Sequence, residues 1–216
     1  MSIDYINQAT PGQAPPQAAA VQQVGLPKVP APPPIVYVQF VAEITPQPTE
    51  TLLATVANLV NQRVPHIYLL FSTPGGSVMH GMAIYNSLLG VPCELTIHNI
   101  GNVDSIGNAI FLAGKYRYAS QHSTFMFHGV GFDAPAGVRV EEKFLLERLD
   151  GIRADHNRIG QILRDRTRLD GKAIEELFRE AQTKDAQFAL SCGMVHEVRE
   201  VQIPPGGPVI SLVFQR

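Results

Sequence analysis

The sequence predicts an α/β fold, in which helices cover a sheet of mainly parallel strands. Short runs rich in β-branched and aromatic residues alternate along the chain with longer segments whose apolar residues recur at helical spacing. Strands separated by helices are typical of βαβ units, whose strands run parallel. With 216 residues, 45% of them hydrophobic, the chain is long enough to bury one sizeable core.

The elements follow from the order of these patterns. The first strand is predicted where β-branched and aromatic residues are dense, and two prolines after it are expected to end it. In chain order the predictions are strand 35–44, helix 49–62, strand 66–71, helix 77–89, strand 93–98, helix 105–113 and strand 125–127. Two or three helices are predicted between 140 and 192. Helix 77–89 is expected to turn Met79, Met82, Ala83 and Leu89 inward.

Residues 1–34 differ in composition from the rest of the chain. They hold eight of the 17 prolines, and Asp4 and Lys28 are their only charged residues. Such a segment has little apolar surface to offset the entropy of ordering, and its last six residues favour an extended polyproline conformation. We expect a disordered, proline-rich tail at 1–34, followed by one folded domain at 35–216. A pro-segment removed on maturation, or a docking arm, is the alternative.

Charge and cysteine content exclude several classes of protein. A net charge of −2 gives no electrostatic reason to expect nucleic acid or an anionic membrane as a partner. Cys93 and Cys192 are far apart, which is neither a metal-ligand spacing nor a disulfide framework. No apolar run approaches the roughly 18 residues of a membrane span, and the N-terminus lacks a signal-peptide pattern. The sequence therefore predicts a soluble, cytoplasmic protein with no metal and no cofactor.

A Pro-Gly-Gly turn joins the predicted strand 66–71 to the helix that follows. Consecutive glycines such as Gly75 and Gly76 permit positive φ and carry no Cβ, so their N–H groups can approach a ligand oxygen at the positive end of that helix. This arrangement suits an oxyanion, although the same tripeptide is also common as a plain turn.

Ser105 and His128 each follow a predicted strand. Ser105 is expected in the first turn of helix 105–113, at the sheet edge where open α/β folds build their sites, beside an N–H of Ile106 that can stabilise negative charge. A small residue next to glycine also serves close helix packing. His128 is expected to emerge at a strand end, where an imidazole can be a base, a capping group or a surface residue.

Taken together, these stretches resemble the ClpP family of serine peptidases. The matching segments are IYLLFSTPGGS (67–77), GMAIY (81–85), GNVDSIG (101–107), FMFH (125–128) and GMVHEV (193–198). They are similar to the family's Ser-Pro-Gly-Gly turn with its helix, its Gly-x-x-x-Ser-Met-Gly nucleophile segment, its Met-Ile-His and its closing segment. The resemblance covers roughly residues 35–198.

The resemblance implies the ClpP/crotonase fold, with repeated ββα units, a helical layer and a protruding handle helix. It implies a serine endopeptidase in which Ser105 is the nucleophile, His128 the general base and then acid, and the N–H groups of Gly76 and Ile106 the oxyanion hole. It also implies homo-oligomeric rings, usually heptameric and stacked, whose chamber receives peptides or unfolded proteins from an AAA+ ATPase partner.

An apolar seam of period 3.5 matches the family's handle helix between rings. Its members are Leu145, Leu149, Ile152, His156, Ile159 and Leu163. A helix packed on its own core is equally consistent with this periodicity.

The chain departs from the family pattern in three places. Ala181 stands where the acidic third triad residue is expected, while Glu180 and Asp185 lie nearby but out of register. Asp104 precedes Ser105 in place of a small residue, and its carboxylate is expected either to oppose the oxyanion or to point to solvent. The loop 129–137 is short and differs from the family's glycine-rich segment. Two alternatives therefore stay open: a catalytically weak or silent ClpP-like assembly subunit, and an acyl-CoA enzyme of the crotonase fold.

Overall fold

The computed structural model describes residues 33–132, 137 and 139–214. The predicted tail at 1–34 lies almost entirely outside these residues, and the division of the chain at 34/35 stays a prediction. The elements are β1 (Val36–Val41), α1 (Pro46–Asn61), β2 (His66–Thr73), α2 (Val78–Leu89), β3 (Glu94–Asp104), α3 (Gly107–Phe111), β4 (Tyr116–Ala119), β5 (Thr124–Met126), α4 (Glu142–Arg166), α5 (Gly171–Glu180), β6 (Thr183–Asp185), α6 (Ala186–Ser191), β7 (Glu197–Val198) and β8 (Val209–Leu212).

One sheet runs through the described part of the chain in the order β6-β5-β3-β2-β1-β8, and β4 joins β3 to β7. Its pairs are parallel except for β5 with β6. The 11-residue strand β3 pairs with β4 along Thr96–Asn99 and with β5 along Asn102–Asp104. Its last residues therefore lie between the ends of β2 and β5, which is where the candidate site forms.

The core packs between this sheet and the helices. Five phenylalanines are almost completely buried, and they pair across elements, as Phe40 does with Phe71 and Phe111 with Phe125. Burying one such side chain contributes about 1.5–3 kcal/mol. Apolar packing therefore helps to hold the carboxyl ends of β2, β3 and β5 together.

The prolines after β1 begin a helix and do not merely end a strand. Pro46 and Pro48 lie in the first turn of α1, where the N–H groups that proline lacks would have no partner within the helix. The strand ends at Val41, and the buried Ile44 makes an isolated parallel bridge with Gly76. This bridge ties the Pro-Gly-Gly turn to the start of α1.

Helix α4 has 25 residues and is about 37 Å long, and it is the predicted handle. Its N-terminal half exposes Leu145, Leu146 and Leu149 by 39–54%, whereas its C-terminal half buries Ile159 and Leu163. The C-terminal half of the seam thus packs on the chain's own core, and a contact between rings through the exposed half stays a prediction. None of the helices within the described ranges is both long and apolar enough to cross a membrane.

Candidate active site

Ser105 lies in a sharp turn between the end of β3 at Asp104 and the start of α3 at Gly107. The prediction that it sits inside the first turn of a helix is wrong, because its φ of +57° is in the left-handed region. A residue with a Cβ adopts this conformation only when its surroundings compensate for the strain. Strained strand-to-helix turns of this kind expose a nucleophile at the top of a sheet.

Hydrogen bonds to β5 hold the strained residue in place. The Ser105 N–H donates to the Met126 carbonyl at 2.9 Å, and the buried Asn108 side chain donates both to that carbonyl, at 2.7 Å, and to the Ser105 carbonyl, at 3.1 Å. Asn108 was not predicted from the sequence as a residue of the site. An asparagine inside the otherwise apolar segment 106–113 was the signal that could have found it, because a buried amide needs partners.

The glycine turn contacts Ser105 directly. Gly75 and Gly76 have φ values of +90° and +140°. A Cβ on Gly75 would lie 2.7 Å from Ser105 Cβ, and a Cβ on Gly76 would lie 2.5 Å from the Ile44 carbonyl oxygen. Glycine is therefore required twice by close approach as well as by backbone conformation. The structure brings together the turn and the serine, as the sequence predicts.

Two N–H groups beside Ser105 have no protein acceptor in the described part of the chain. The bridge to Ile44 is made by the Gly75 carbonyl, at 2.7 Å, and the Ser77 N–H, at 2.9 Å, which is the parallel pattern that points the Gly76 N–H to the opposite side. Ile106, directly after the serine, also donates no hydrogen bond within the described chain. A pair of unsatisfied donors next to a hydroxyl is what an oxyanion hole needs.

The carboxylate of Asp104 is fixed along β3. It accepts a hydrogen bond from the Asn102 amide at 2.6 Å, and that amide also donates to the Thr73 carbonyl at 3.1 Å. Asp104 is half-buried. Asn102 therefore positions this carboxylate, and both of its expected effects, opposing the oxyanion or facing solvent, stay predictions.

His128 lies two residues beyond the end of β5. The neighbouring N–H groups tie it to α5 and the turn that follows: Phe127 donates to the Gln182 carbonyl and Gly129 to the Phe178 carbonyl, both at 3.0 Å. The imidazole Nδ1 is 2.7 Å from the Gly129 carbonyl oxygen. Since a carbonyl only accepts, Nδ1 carries the proton and Nε2 presents a lone pair. A base needs such a lone pair.

Ser105 and His128 lie at adjacent strand ends, but no hydrogen bond joins their side chains in the described structure. The register pairs Asp104 with Met126, which places the serine and the histidine one and two residues beyond a matched pair. The backbone bond from Ser105 to Met126 holds the two strand ends together. The two strand ends are thus held together, but Ser105 Oγ and His128 Nε2 are not hydrogen-bonded to each other.

None of the described carboxylates bonds to His128. Ala181 is exposed and ends α5 with a φ of +50°. Glu180 bonds to the Gln182 amide and lies 3.8 Å from Arg179, and Asp185 caps α6 by accepting from the Phe188 N–H at 2.8 Å. Both carboxylates considered as substitutes for the missing acid are therefore engaged elsewhere.

A cavity of about 530 Å³ opens beside Gly129, between α4 and α5. Its lining combines the apolar faces of Ile174 and Phe178 with His156 and the arginines Arg153, Arg164 and Arg179. Gly129, in this lining, directly follows His128 in the chain. The described residues include no group of three or more side chains suited to hold a metal ion.

A second histidine near this edge has a purely structural environment. His98, in the middle of β3, is fully buried, with Nδ1 2.8 Å from the Tyr68 hydroxyl and Nε2 3.3 Å from the Ser120 hydroxyl. Burial away from water lowers the pKa of His98 to about 4. It is therefore neutral at physiological pH and available as a comparison for His128.

Comparison with known proteins identifies the family. The model of the Clp protease family matches residues 36–202, which is most of the chain. The chain belongs to the Clp protease family. The ClpP-like prediction made from the motifs is confirmed, and the crotonase-type acyl-CoA enzyme is set aside.

Curated relatives are proteolytic subunits of ATP-dependent Clp proteases. Subunit 1 of Leifsonia xyli is 29% identical over 142 residues, covering 62% of this chain and 67% of that protein. Subunit 2 of Cutibacterium acnes is 31% identical over 154 residues, covering 65% and 66%. Subunit 2 of Chlamydia trachomatis is 25% identical over 167 residues, covering 72% and 76%. The matched part thus spans about two-thirds to three-quarters of these relatives.

The fold is confirmed by a solved structure. The ClpP1 N165D mutant from Listeria monocytogenes superposes with a TM-score of 0.67 at 20% identity, covering 77% of this chain and 92% of that one. The predicted ClpP/crotonase-like architecture is therefore correct.

Proposed function

We propose that this chain is a serine endopeptidase of the ClpP type. Ser105 is its nucleophile, His128 its general base and then acid, and the N–H groups of Gly76 and Ile106 form its oxyanion hole. The observation that carries this proposal is the left-handed Ser105 in contact with the glycine turn, flanked by two N–H groups that lack a described acceptor. Strained backbone of this kind clusters at active sites.

The proposed chemistry has two balanced steps. Ser105 Oγ attacks the peptide carbonyl carbon while its proton passes to His128 Nε2, and the resulting oxyanion accepts hydrogen bonds from Gly76 and Ile106. Breaking of the C–N bond expels the amine, which takes the proton from His128, and leaves an acyl group on Ser105. Water then attacks this ester with His128 again acting as base, which releases the acid and regenerates the serine.

The reaction requires His128 Nε2 to come within hydrogen-bond distance of Ser105 Oγ. Catalytic hydrogen bonds are commonly long in sites without substrate and tighten when substrate binds. The Nδ1–H tautomer of His128 supports the proposal because it leaves the nitrogen that must accept the proton free of hydrogen.

Assembly and partners belong to the same proposal. Leu145, Leu146 and Leu149 of α4 are exposed, as are Phe132 and Val140 ahead of it in the chain, and exposed apolar residues of this kind favour a protein interface. We propose that these residues join copies of the chain in homo-oligomeric rings, heptameric or stacked, in the cytoplasm. The relatives are named as parts of ATP-dependent proteases, which favours an AAA+ ATPase partner that supplies peptides or unfolded proteins.

Hydrolysis of a set of fluorogenic peptides by the full-length chain tests the proposal. The wild type is expected to release fluorophore, and Ser105→Ala is expected to release none above the uncatalysed rate. Native mass spectrometry of the same samples gives the ring size. Equal hydrolysis by both proteins would show that Ser105 is not the nucleophile.

The second candidate function is that of a catalytically silent ClpP-like subunit that serves assembly. Ala181 at the acid position and the open contact between Ser105 and His128 support it. Under this alternative, native mass spectrometry shows rings, while no peptide is hydrolysed and no serine reacts with a fluorophosphonate.

A further inference from the structure

We propose that the main-chain carbonyl of Gly129 takes the orienting place of the missing acid, and that His156 is the side chain that positions this carbonyl. The inference rests on the proposed function of Ser105 and His128. It concerns how the base is held when Ala181 supplies no carboxylate.

The contact between His128 and Gly129 performs one of the two tasks of a triad acid. Such an acid fixes the tautomer and orientation of the histidine, and it stabilises the imidazolium that forms during the reaction. The Gly129 oxygen, 2.7 Å from Nδ1, fixes the tautomer fully. As a neutral dipole, it stabilises the imidazolium less than a carboxylate does, so the arrangement favours a working but slower base.

His156 sets the direction of that carbonyl through the peptide plane. The Gly129 C=O and the Val130 N–H belong to the same trans peptide unit and point in opposite directions. The Val130 N–H donates to His156 Nε2 at 2.6 Å. Fixing this N–H toward α4 therefore aims the Gly129 oxygen the opposite way, where Nδ1 of His128 lies.

Helix α5 fixes both His156 and Gly129. The His156 ring stacks on Phe178, with centroids 5.5 Å apart and planes at 21°, and the Phe178 carbonyl accepts from the Gly129 N–H at 3.0 Å. A Cβ on Gly129 would lie 3.0 Å from His156 Nε2, so a side chain at 129 would push the imidazole away. The contacts thus link α4, α5 and the segment after β5 around one peptide plane.

Two substitutions at position 156 test separately the two contributions of His156, its hydrogen-bond acceptor and its aromatic ring. His156→Phe keeps the stack on Phe178 but leaves the Val130 N–H without an acceptor. His156→Gln removes the ring but places an amide oxygen at a similar reach from the backbone, where it can accept that N–H. If positioning depends on the acceptor, the glutamine variant rescues what the phenylalanine variant loses.

The readout is the inactivation rate of the full-length chain by diisopropyl fluorophosphate. Its limiting rate constant, kinact, is measured separately from KI, because His156 also lines the cavity and can alter binding. We expect His156→Phe to lower kinact about 100-fold, as misplacement of a catalytic group by about 1 Å does. His156→Gln should stay within about 3-fold of wild type. Arg158→Gln, on the exposed side of α4, is the matched control and should leave kinact unchanged.

Wild-type kinact in His156→Phe, or equal losses in the phenylalanine and glutamine variants, would overturn the inference. If circular dichroism shows that His156→Phe is unfolded, Gly129→Ala takes its place, since its Cβ displaces the same imidazole. Unchanged kinact in Gly129→Ala would overturn the inference in the same way.

The protonation of His128 gives a second readout that does not need activity. In the Ser105→Ala variant, ¹⁵N NMR of the imidazole is expected to show the Nδ1–H tautomer at neutral pH, and the Nε2–H tautomer would overturn the inference. A wild type that fails to react at Ser105 while its His128 is Nδ1–H would instead count against the proposed function. The two failures are therefore distinguishable.

Discussion

The nucleophile side and the base side of the candidate site are built in different ways. Ser105 and the glycine turn lie at the ends of β2 and β3, where backbone hydrogen bonds and glycines without room for a Cβ leave little freedom. His128 lies in the segment after β5, and its orientation depends on Gly129, Phe178 and His156. One side is determined by the sheet, and the other by contacts between a loop and two helices.

This difference shows where a member of the family can lose a triad residue and keep the rest of the site. The turn at Gly75 and Gly76 and the strained Ser105 are in close contact with one another and with Ile44, so a bulkier residue in the turn disturbs the fold locally. Ala181, where the resemblance predicts the acid, is exposed at the end of α5, so a substitution there has little cost for stability.

The largest effect on activity is expected from substituting Ser105 on the nucleophile side or His128 on the base side. Ser105→Ala and His128→Ala should each lower peptide hydrolysis by about 10⁶-fold, and the double variant should be no worse than either, because residues that act as one unit are strongly non-additive. The rate of fluorogenic peptide hydrolysis measures this. If the rate losses of the two single variants multiply in the double variant, Ser105 and His128 do not act as one unit.

A smaller but still severe loss is expected on the nucleophile side alone. Gly76→Ala places a Cβ 2.5 Å from the Ile44 carbonyl oxygen, so the turn must shift. The N–H of residue 76 then no longer points toward the proposed oxyanion. Loss of one oxyanion-hole donor costs about 100- to 1,000-fold in kcat. Gly131→Ala, whose Cβ would meet nothing within 4 Å, is the control. Equal kcat in both variants would remove Gly76 from the proposed hole.

Much of the nucleophile side could be predicted from the sequence, because strand order and glycine turns leave local signals. The strained turn at Ser105 could not, since the apolar run after it reads as a helix from residue 105. The buried face of α2 was predicted only in part: Met82 is buried as expected, but Ala83 is exposed and Met79 and Leu89 are 69% and 42% exposed. Ile84 and Tyr85 are buried in their place. When apolar residues occur on several sides of a helix, the sequence does not show which side is buried.

The base side could be predicted only in part. His128 was found because it ends an apolar strand within a family motif. The partner of Val130 was not found, because His156 lies 26 residues away and read as one more position of the α4 seam. Contacts between distant elements leave no local pattern, and residues 133–136 and 138 of the connecting loop lie outside the described residues.

The exposed half of α4 connects the base side to the proposed assembly. Replacing Leu149 and Ile152 with Asp should split a double ring into single rings or smaller species, because charges would be buried at the apolar interface. Sedimentation velocity measures the size, and circular dichroism checks the fold. An unchanged sedimentation profile of folded protein would count against the handle as an interface.

Restoring an acid should have a modest effect. Ala181→Asp is conformationally tolerable, because aspartate accepts the left-handed backbone better than most residues do. We expect kcat to rise by up to about 10-fold, far less than the roughly 10⁴-fold that an established triad acid contributes, since Gly129 already fixes the tautomer. Glu180→Gln should leave kcat within about 2-fold. A large loss in Glu180→Gln would show that this carboxylate reaches His128.

The smallest expected effect concerns stability in acid. The folded pKa of His98 is about 4 and its unfolded value about 6.5, so between these values the unfolded chain binds the extra proton. The free energy of unfolding should therefore fall as the pH drops from about 6.5 to 4. His98→Gln should flatten the dependence of Tm on pH over this window. An unchanged slope would show that His98 does not weaken the fold in acid.

The most direct test of the central claim is the site of reaction with a fluorophosphonate. Intact-mass measurement and peptide mapping of the wild-type chain should show one adduct per chain, located on Ser105. Ser105→Ala should show none, and His128→Ala should react at least 100-fold more slowly. A wild-type chain that stays unmodified while its rings are intact, or an adduct on another residue, would contradict the account.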